Sequence, residues 1–180
     1  MKNKFFGLLL CLLTGMAAQS QIRNLQLQAA GLTCSMCSNA IDKALRSLPQ
    51  VADIQTNLEQ NLFIITLHEG QPVSFDDVKN KVEEAGFSVG KLTAEVQFPA
   101  MAARQDAHVK VGGMLLHILK SSRPTVEGWQ TVQVLDKSFV LEKQFKKLQQ
   151  QHKVECLKTG KAADCCTGAQ AGERVYHIGI

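Results

Sequence analysis

Two thiols three positions apart, Cys34 and Cys37 in the run Gly31-Leu32-Thr33-Cys34-Ser35-Met36-Cys37, are the residues of this 180-residue chain that point most directly to chemistry. A dithiolate on one short loop suits a linear, two-coordinate Cu(I) ion, because soft sulfur selects soft ions and no further donor is needed. Zn(II) takes four ligands and would have to recruit two from elsewhere. Cycling between dithiol and disulfide is the rival chemistry for this spacing. A purely structural disulfide here closes too short a loop to stabilise much.

The elements around the pair must hold it at an exposed junction. Leu25, Leu27 and Ala29 alternate with Gln26, Gln28 and Ala30, the period of a half-buried strand, and Gly31 then releases the backbone into a loop. From Ser35 onward, Cys37, Ala40, Ile41, Ala44, Leu45 and Leu48 recur at three- and four-residue steps, one face of a helix that Pro49 ends. Cys37 therefore falls in the first helical turn, where the macrodipole and free N–H groups favour thiolate over thiol. Val51 to Leu58 and Asn61 to Leu67 read as a hairpin turning at Glu59-Gln60. Ser74 and Asp77 resemble a capping box before a helix carrying Phe75, Val78, Val82 and Ala85, and Gly86 stops it. Phe87 to Val96 is a further strand. The order β-α-β-β-α-β is the ferredoxin-like split βαβ arrangement, with both helices on one face of a four-stranded antiparallel sheet.

Residues 98–106, with Pro99 and several alanines, read as a linker. Beyond it, His108 to Val111, Met114 to Leu119, Trp129 to Leu135, Val154 to Leu157 and Arg174 to Ile178 are strand-like, and Val140 to Gln151 is a basic amphipathic helix with Leu141, Phe145 and Leu148 on one face. A small β-rich module with one helix accommodates these runs, a partly open barrel of OB-like architecture being one arrangement. Its chemistry-bearing residues are Cys156, Cys165 and Cys166, with His152 and His177. They suit a second soft-metal site or, equally, a disulfide from Cys156 to Cys165 or Cys166 that leaves one thiol over. Trp129 and Tyr176 read as core or edge anchors, and the lysines of the helix as its solvated face.

At the N-terminus, Lys2 and Lys4 precede the apolar run Phe5 to Leu13 and the small residues up to Ala18-Gln19-Ser20. This pattern is that of a cleavable secretory signal over residues 1–20, and it removes Cys11. The run is short for a membrane span, and no second apolar segment is long enough for one. Cleavage takes away two lysines and no acid, so the formal charge of +4 falls to about +2, too slight to suggest nucleic acid. Five cysteines remain, an odd number, so at least one is free, metal-bound or intermolecular in an oxidising compartment.

The stretch from about Leu25 to Val96 resembles the heavy-metal-associated domain of metallochaperones and of the N-terminal modules of metal-transporting P-type ATPases. The family's loop reads Gly-Met-Thr-Cys-x-x-Cys, against Gly31-Leu32-Thr33-Cys34-Ser35-Met36-Cys37 here. Ala40, Leu45, Val51 and Gly86-Phe87 agree as well, and Leu32 replaces a methionine that generally packs beneath the loop. The resemblance implies metal binding at Cys34 and Cys37, transfer by stepwise thiolate exchange to a metal-transporting ATPase or another metal-handling protein, and Phe87 shielding the loop. Met36 is expected to lie at the surface and His68 to be solvated. The residues around the pair lack the Trp and intervening Pro of typical thioredoxins. The expectation is an exported, periplasmic or secreted metal-binding protein and not an enzyme, with residues 22–97 as the metal domain and 107–180 as a second domain. Cu(I) is the leading ion, with Hg(II) and Zn(II) as alternatives, and a thiol-disulfide oxidoreductase as the rival of another class.

Overall fold

In the computed structural model, residues 21–32, 35–166 and 168–180 are described. Residues 1–20, read above as a secretory signal that includes Cys11, and Thr33 and Cys34 of the thiol loop lie outside them. Strand β1 (Ile22–Ala30) leads to helix α1 (Ser35–Arg46), the hairpin β2 (Val51–Asn57) and β3 (Leu62–Leu67), helix α2 (Phe75–Glu84) and strand β4 (Ser88–Ala102). Lateral order is β2-β3-β1-β4, all antiparallel, the ferredoxin-like order expected. Ile41 and Leu45 of α1 and Phe75, Val78 and Val82 of α2 bury against Leu25, Leu27, Phe63, Ile65 and Leu92 of the sheet. The buried stripe of α1 also takes in Ser38, while Ala40, expected inside, is exposed. At the start of α2 the Ser74 hydroxyl accepts the Asp77 N–H, as the sequence suggests.

The expected boundary near residue 97 falls inside β4. Residues 98–102, read as linker, continue that strand and pair with β7 (Thr125–Val134) from Thr93↔Gln133 to Ala102↔Thr125. Pro99 misled the reading because it cannot donate to a ladder. It sits, exposed, at the register shift between Phe98 and Met101, the kind of irregularity where a strand tolerates proline. The hairpin β5 (Ala107–Val111) and β6 (Met114–Lys120), turning at Gly112-Gly113 with both φ positive, and β8 (Val175–Gly179) complete one open eight-stranded sheet in the order β2-β3-β1-β4-β7-β8-β6-β5. Its ends are β2 and β5, so these strands form an extension of the sheet rather than an OB-like barrel.

Two helices, not one, cover the added strands: α3 (Glu142–Gln151) and α4 (Glu155–Thr159). Val154–Leu157, expected as a strand, is the entry to α4, which Gly160 ends in a left-handed conformation. An apolar run of four residues carries no decisive period. On α3, Phe145 and Leu148 are buried but Leu141 is exposed. Strands β6 and β8 are buried on both faces. Leu116 and Ile118 of β6 and Tyr176 and Ile178 of β8 join the main core beneath α1 and α2. The alternate residues Leu115, Leu119 and Val175 face α3, α4 and the following loop. Among the described residues, no helix is long and apolar enough to cross a membrane.

Candidate metal centres

The first centre lies where β1 meets α1. Gly31 adopts φ +81°, which an L side chain resists, and turns the chain out of the sheet. Leu32 packs half-buried against the main core, filling the place where the resembling family carries methionine. Helix α1 begins one residue after Cys34, so half-buried Cys37 stands in its first turn, a turn that carries no acidic residue of its own. The dipole of α1 therefore favours negative charge on that sulfur. Met36 is 81% exposed, at the surface as expected. Phe87 packs half-buried on the main core, and His68 is exposed. At the other end of α1, Arg46 donates to Asp42 at 2.8 Å and to the Ile54 carbonyl at 2.7 Å, anchoring the helix to β2.

The second centre is on the opposite face of the sheet. His117 of β6 and His177 of β8 are register partners on parallel strands, and His108 of β5 is opposite His117. Their rings form a row, with centroids 4.1 Å apart for His108 and His117 and 5.0 Å for His117 and His177. Cys156, in the first turn of α4, closes over the row, its Sγ 3.4 Å from His117 Nδ1 and 3.3 Å from His177 Nε2. All three side chains are fully buried. Ligand atoms of His117, Cys156 and His177 lie within 4.8 Å of one another, and so do those of His108, Cys156 and Cys166.

Of the expected second-site cysteines, Cys156 and Cys166 enter this cluster, and Cys165 adjoins it with its Sγ 3.7 Å from that of Cys166. His177 belongs to it, but His152 instead approaches Gln105. His108 and His117 were missed: they read as strand residues, and their convergence depends on pairing between strands far apart in sequence. The signal available was that both fall in the strand-like runs flanking one Gly-Gly turn.

The imidazoles of His108 and His117 and the thiols of Cys156 and Cys166 are biased toward their neutral forms. Burial, aided by His108 and His177, pushes the His117 imidazole down to about 4. Burial likewise lowers His108 and, with hydrogen bonds that Cys156 donates to Cys165 and Cys166, raises the Cys156 thiol far above its ordinary range. Burial also raises Cys166. For the half-exposed Cys165 the same penalty is outweighed by hydrogen bonds around Cys156, and its thiol is lowered.

A network joins this cluster to the first half of the chain. Asp136, buried after β7, accepts from His177 Nδ1 at 2.6 Å and from the Arg174 guanidinium at 3.4 Å. Arg174 also donates to Asp76 of α2 at 2.7 and 3.2 Å and lies 4.1 Å over the Tyr176 ring. The Tyr176 hydroxyl bonds Asp76 and Ser74, each at 3.0 Å, and burial pushes it up to about 12. Trp129 lies instead on the surface beneath the Arg23 guanidinium, 4.4 Å away.

Comparison with known proteins places similarity on the first half. The heavy-metal-associated domain family matches residues 26–88. The copper chaperone CopZ of Staphylococcus epidermidis is 30% identical over 63 residues, which are 35% of this chain and 91% of that protein. The copper-transporting ATPase RAN1 of Arabidopsis thaliana is 32% identical over 95 residues, 53% of this chain but only 9% of the ATPase, so the chain spans about a tenth of that relative's length. The solution structure of the yeast copper transporter domain Ccc2a is 34% identical, covering 36% of this chain and 88% of that domain, with a TM-score of 0.33.

Proposed function

Since the chain belongs, through residues 26–88, to the heavy-metal-associated domain family, we propose that it is an exported protein that captures Cu(I) at Cys34 and Cys37 and passes it to a metal-transporting ATPase or another metal-handling protein. The observation that carries this reading is the Gly-x-Thr-Cys-x-x-Cys run between a strand and the N-terminus of an amphipathic helix, inside the segment shared with a copper chaperone.

The chemistry follows from the position. Two sulfurs satisfy a linear Cu(I) ion and leave its flanks open to an incoming ligand. The cargo ion then moves through three-coordinate stages, a partner's thiolate binding before Cys34 or Cys37 releases. The start of α1 favours anionic sulfur, so the pair need not be deprotonated at each transfer. Outside the cytoplasm oxidation competes for the same sulfurs, and activity requires the pair to be reduced or metallated.

Anaerobic titration with Cu(I) against a chelator tests the site, and intact mass of protein recovered from the exported compartment tests cleavage after Ser20. Tight Cu(I) binding that disappears in the Cys34→Ser, Cys37→Ser protein is the expected result. Disulfide reductase activity requiring the pair, without tight Cu(I) binding, would replace this reading with the redox one.

A further inference from the structure

The row of histidines beneath Cys156 is wired in a way that a packed apolar core does not need. Each of its two fully buried rings gives one nitrogen to a carboxylate: His117 Nε2 lies 3.2 Å from Asp106 and His177 Nδ1 lies 2.6 Å from Asp136. A carboxylate only accepts, so these outer nitrogens carry the ring protons. The inner nitrogens, His117 Nδ1 and His177 Nε2, are then bare lone pairs, and both face one sulfur. A thiol has a single proton and can answer only one of them. Beside them, His108 Nε2 is buried with no hydrogen-bond partner. The cluster thus holds more lone pairs than protons where exposure is zero.

From this we infer that His117, Cys156 and His177 form a second metal site, completed by Cys166 or His108, for a borderline ion of the Zn(II) class. Tetrahedral coordination with Zn–S about 2.3 Å and Zn–N about 2.0 Å separates sulfur from nitrogen by roughly 3.5 Å. The observed 3.3 and 3.4 Å already meet that spacing. On binding, the Cys156 Sγ–H bond breaks, its proton leaves to solvent, and the sulfur and both inner nitrogens donate their pairs to the ion. Asp106 and Asp136 fix the ring tautomers, the usual outer support of a histidine ligand. Half-buried His108 and Cys165, at the margin, mark the way in.

The order Cys156, His177, Asp136 also has the form of a nucleophile, base and orienting acid. A sulfur with no exposure offers no approach to a substrate, and the second imidazole has no place in that scheme. One mixed sulfur and nitrogen site uses the buried sulfur of Cys156 and both buried imidazoles.

The test uses the full mature chain, reduced and carrying Cys34→Ser and Cys37→Ser, so that its outcome is independent of the loop. Co(II) serves as the probe. One equivalent is expected to give thiolate charge-transfer and tetrahedral ligand-field bands that Zn(II) abolishes, and Zn(II) is expected to raise the melting temperature. Cys156→Ser is expected to lose at least half of the charge-transfer intensity, and His117→Gln to weaken binding at least tenfold. Absence of both bands and thermal shift from folded protein with an intact cluster overturns the proposal, as does charge-transfer intensity undiminished by Cys156→Ser. The bands and the thermal shift are read on the unaltered cluster, so an unfolded variant does not rescue the idea. A Cys156 disulfide in protein isolated anaerobically would also overturn it.

Discussion

The two proposed metal sites, the thiol pair that follows β1 and the cluster beneath α4, differ in access. In the first, Cys37 stands half-buried in the opening turn of α1 beside Met36, which is exposed. The second encloses a sulfur and two imidazoles at zero exposure, each ring held by its own carboxylate. An open site with few ligands lowers the barrier to exchange; a closed site with positioned ligands raises it. Under the two proposals, the contrast separates an ion in transit from an ion retained, within one sheet.

That single sheet gives the largest effect by which the contrast can be broken. Phe98, 3% exposed, lies on the part of β4 that pairs with β7 and contributes to the main core. Phe98→Ala is expected to cost about 3–5 kcal/mol in denaturant unfolding. A loss within about 0.5 kcal/mol, normal for an exposed linker, would mean that the two regions are independent bodies. Next, Asp106→Asn removes the carboxylate from His117 at an exposed, positive-φ position that asparagine accepts. Co(II) affinity of the buried cluster should fall roughly 10–100-fold while Cu(I) affinity of the loop is unchanged. Equal effects on both would dissolve the distinction between the sites.

Acid provides a smaller effect. Burial alone would raise the Asp76 carboxyl, but the Arg174 guanidinium holds it below its ordinary value of 3.8. A depressed folded pKa favours the ionised form, so this contribution to stability is complete above that value and is lost as pH falls through the lower folded one. Asp76→Asn should flatten that part of an acid unfolding curve; an unaltered curve would show that the link from α2 to β8 carries no such free energy. Smallest of all, Met36→Ala should leave Cu(I) affinity within about threefold, since two thiolates complete the site. A larger loss would bring its thioether into the coordination shell.

How much of this was legible in the sequence tracks where the ligands sit along the chain. Cys34 and Cys37 are three positions apart, and the alternation of Leu25, Leu27 and Ala29 followed by Gly31 locates them at a strand end without any tertiary information. The first six elements follow from period, Ser74 and Gly86 in the same way. His108, His117 and His177 become neighbours only through pairing of β5 with β6 and of β6 with β8, the last a parallel contact between segments some sixty residues apart. No local period encodes that register. Pro99 concealed the continuation of β4, and Val154 to Leu157 was too short to betray a helical turn. Both errors hid the sheet that assembles the second cluster.

The most direct measurement is an anaerobic Cu(I) competition titration of the mature protein beside its Cys34→Ser, Cys37→Ser counterpart, both checked for folding. The account predicts one tightly held Cu(I) that the substitutions weaken by more than about a hundredfold, beyond the usual effect of losing an outer-shell partner alone. Equal Cu(I) affinity in the two proteins would contradict it.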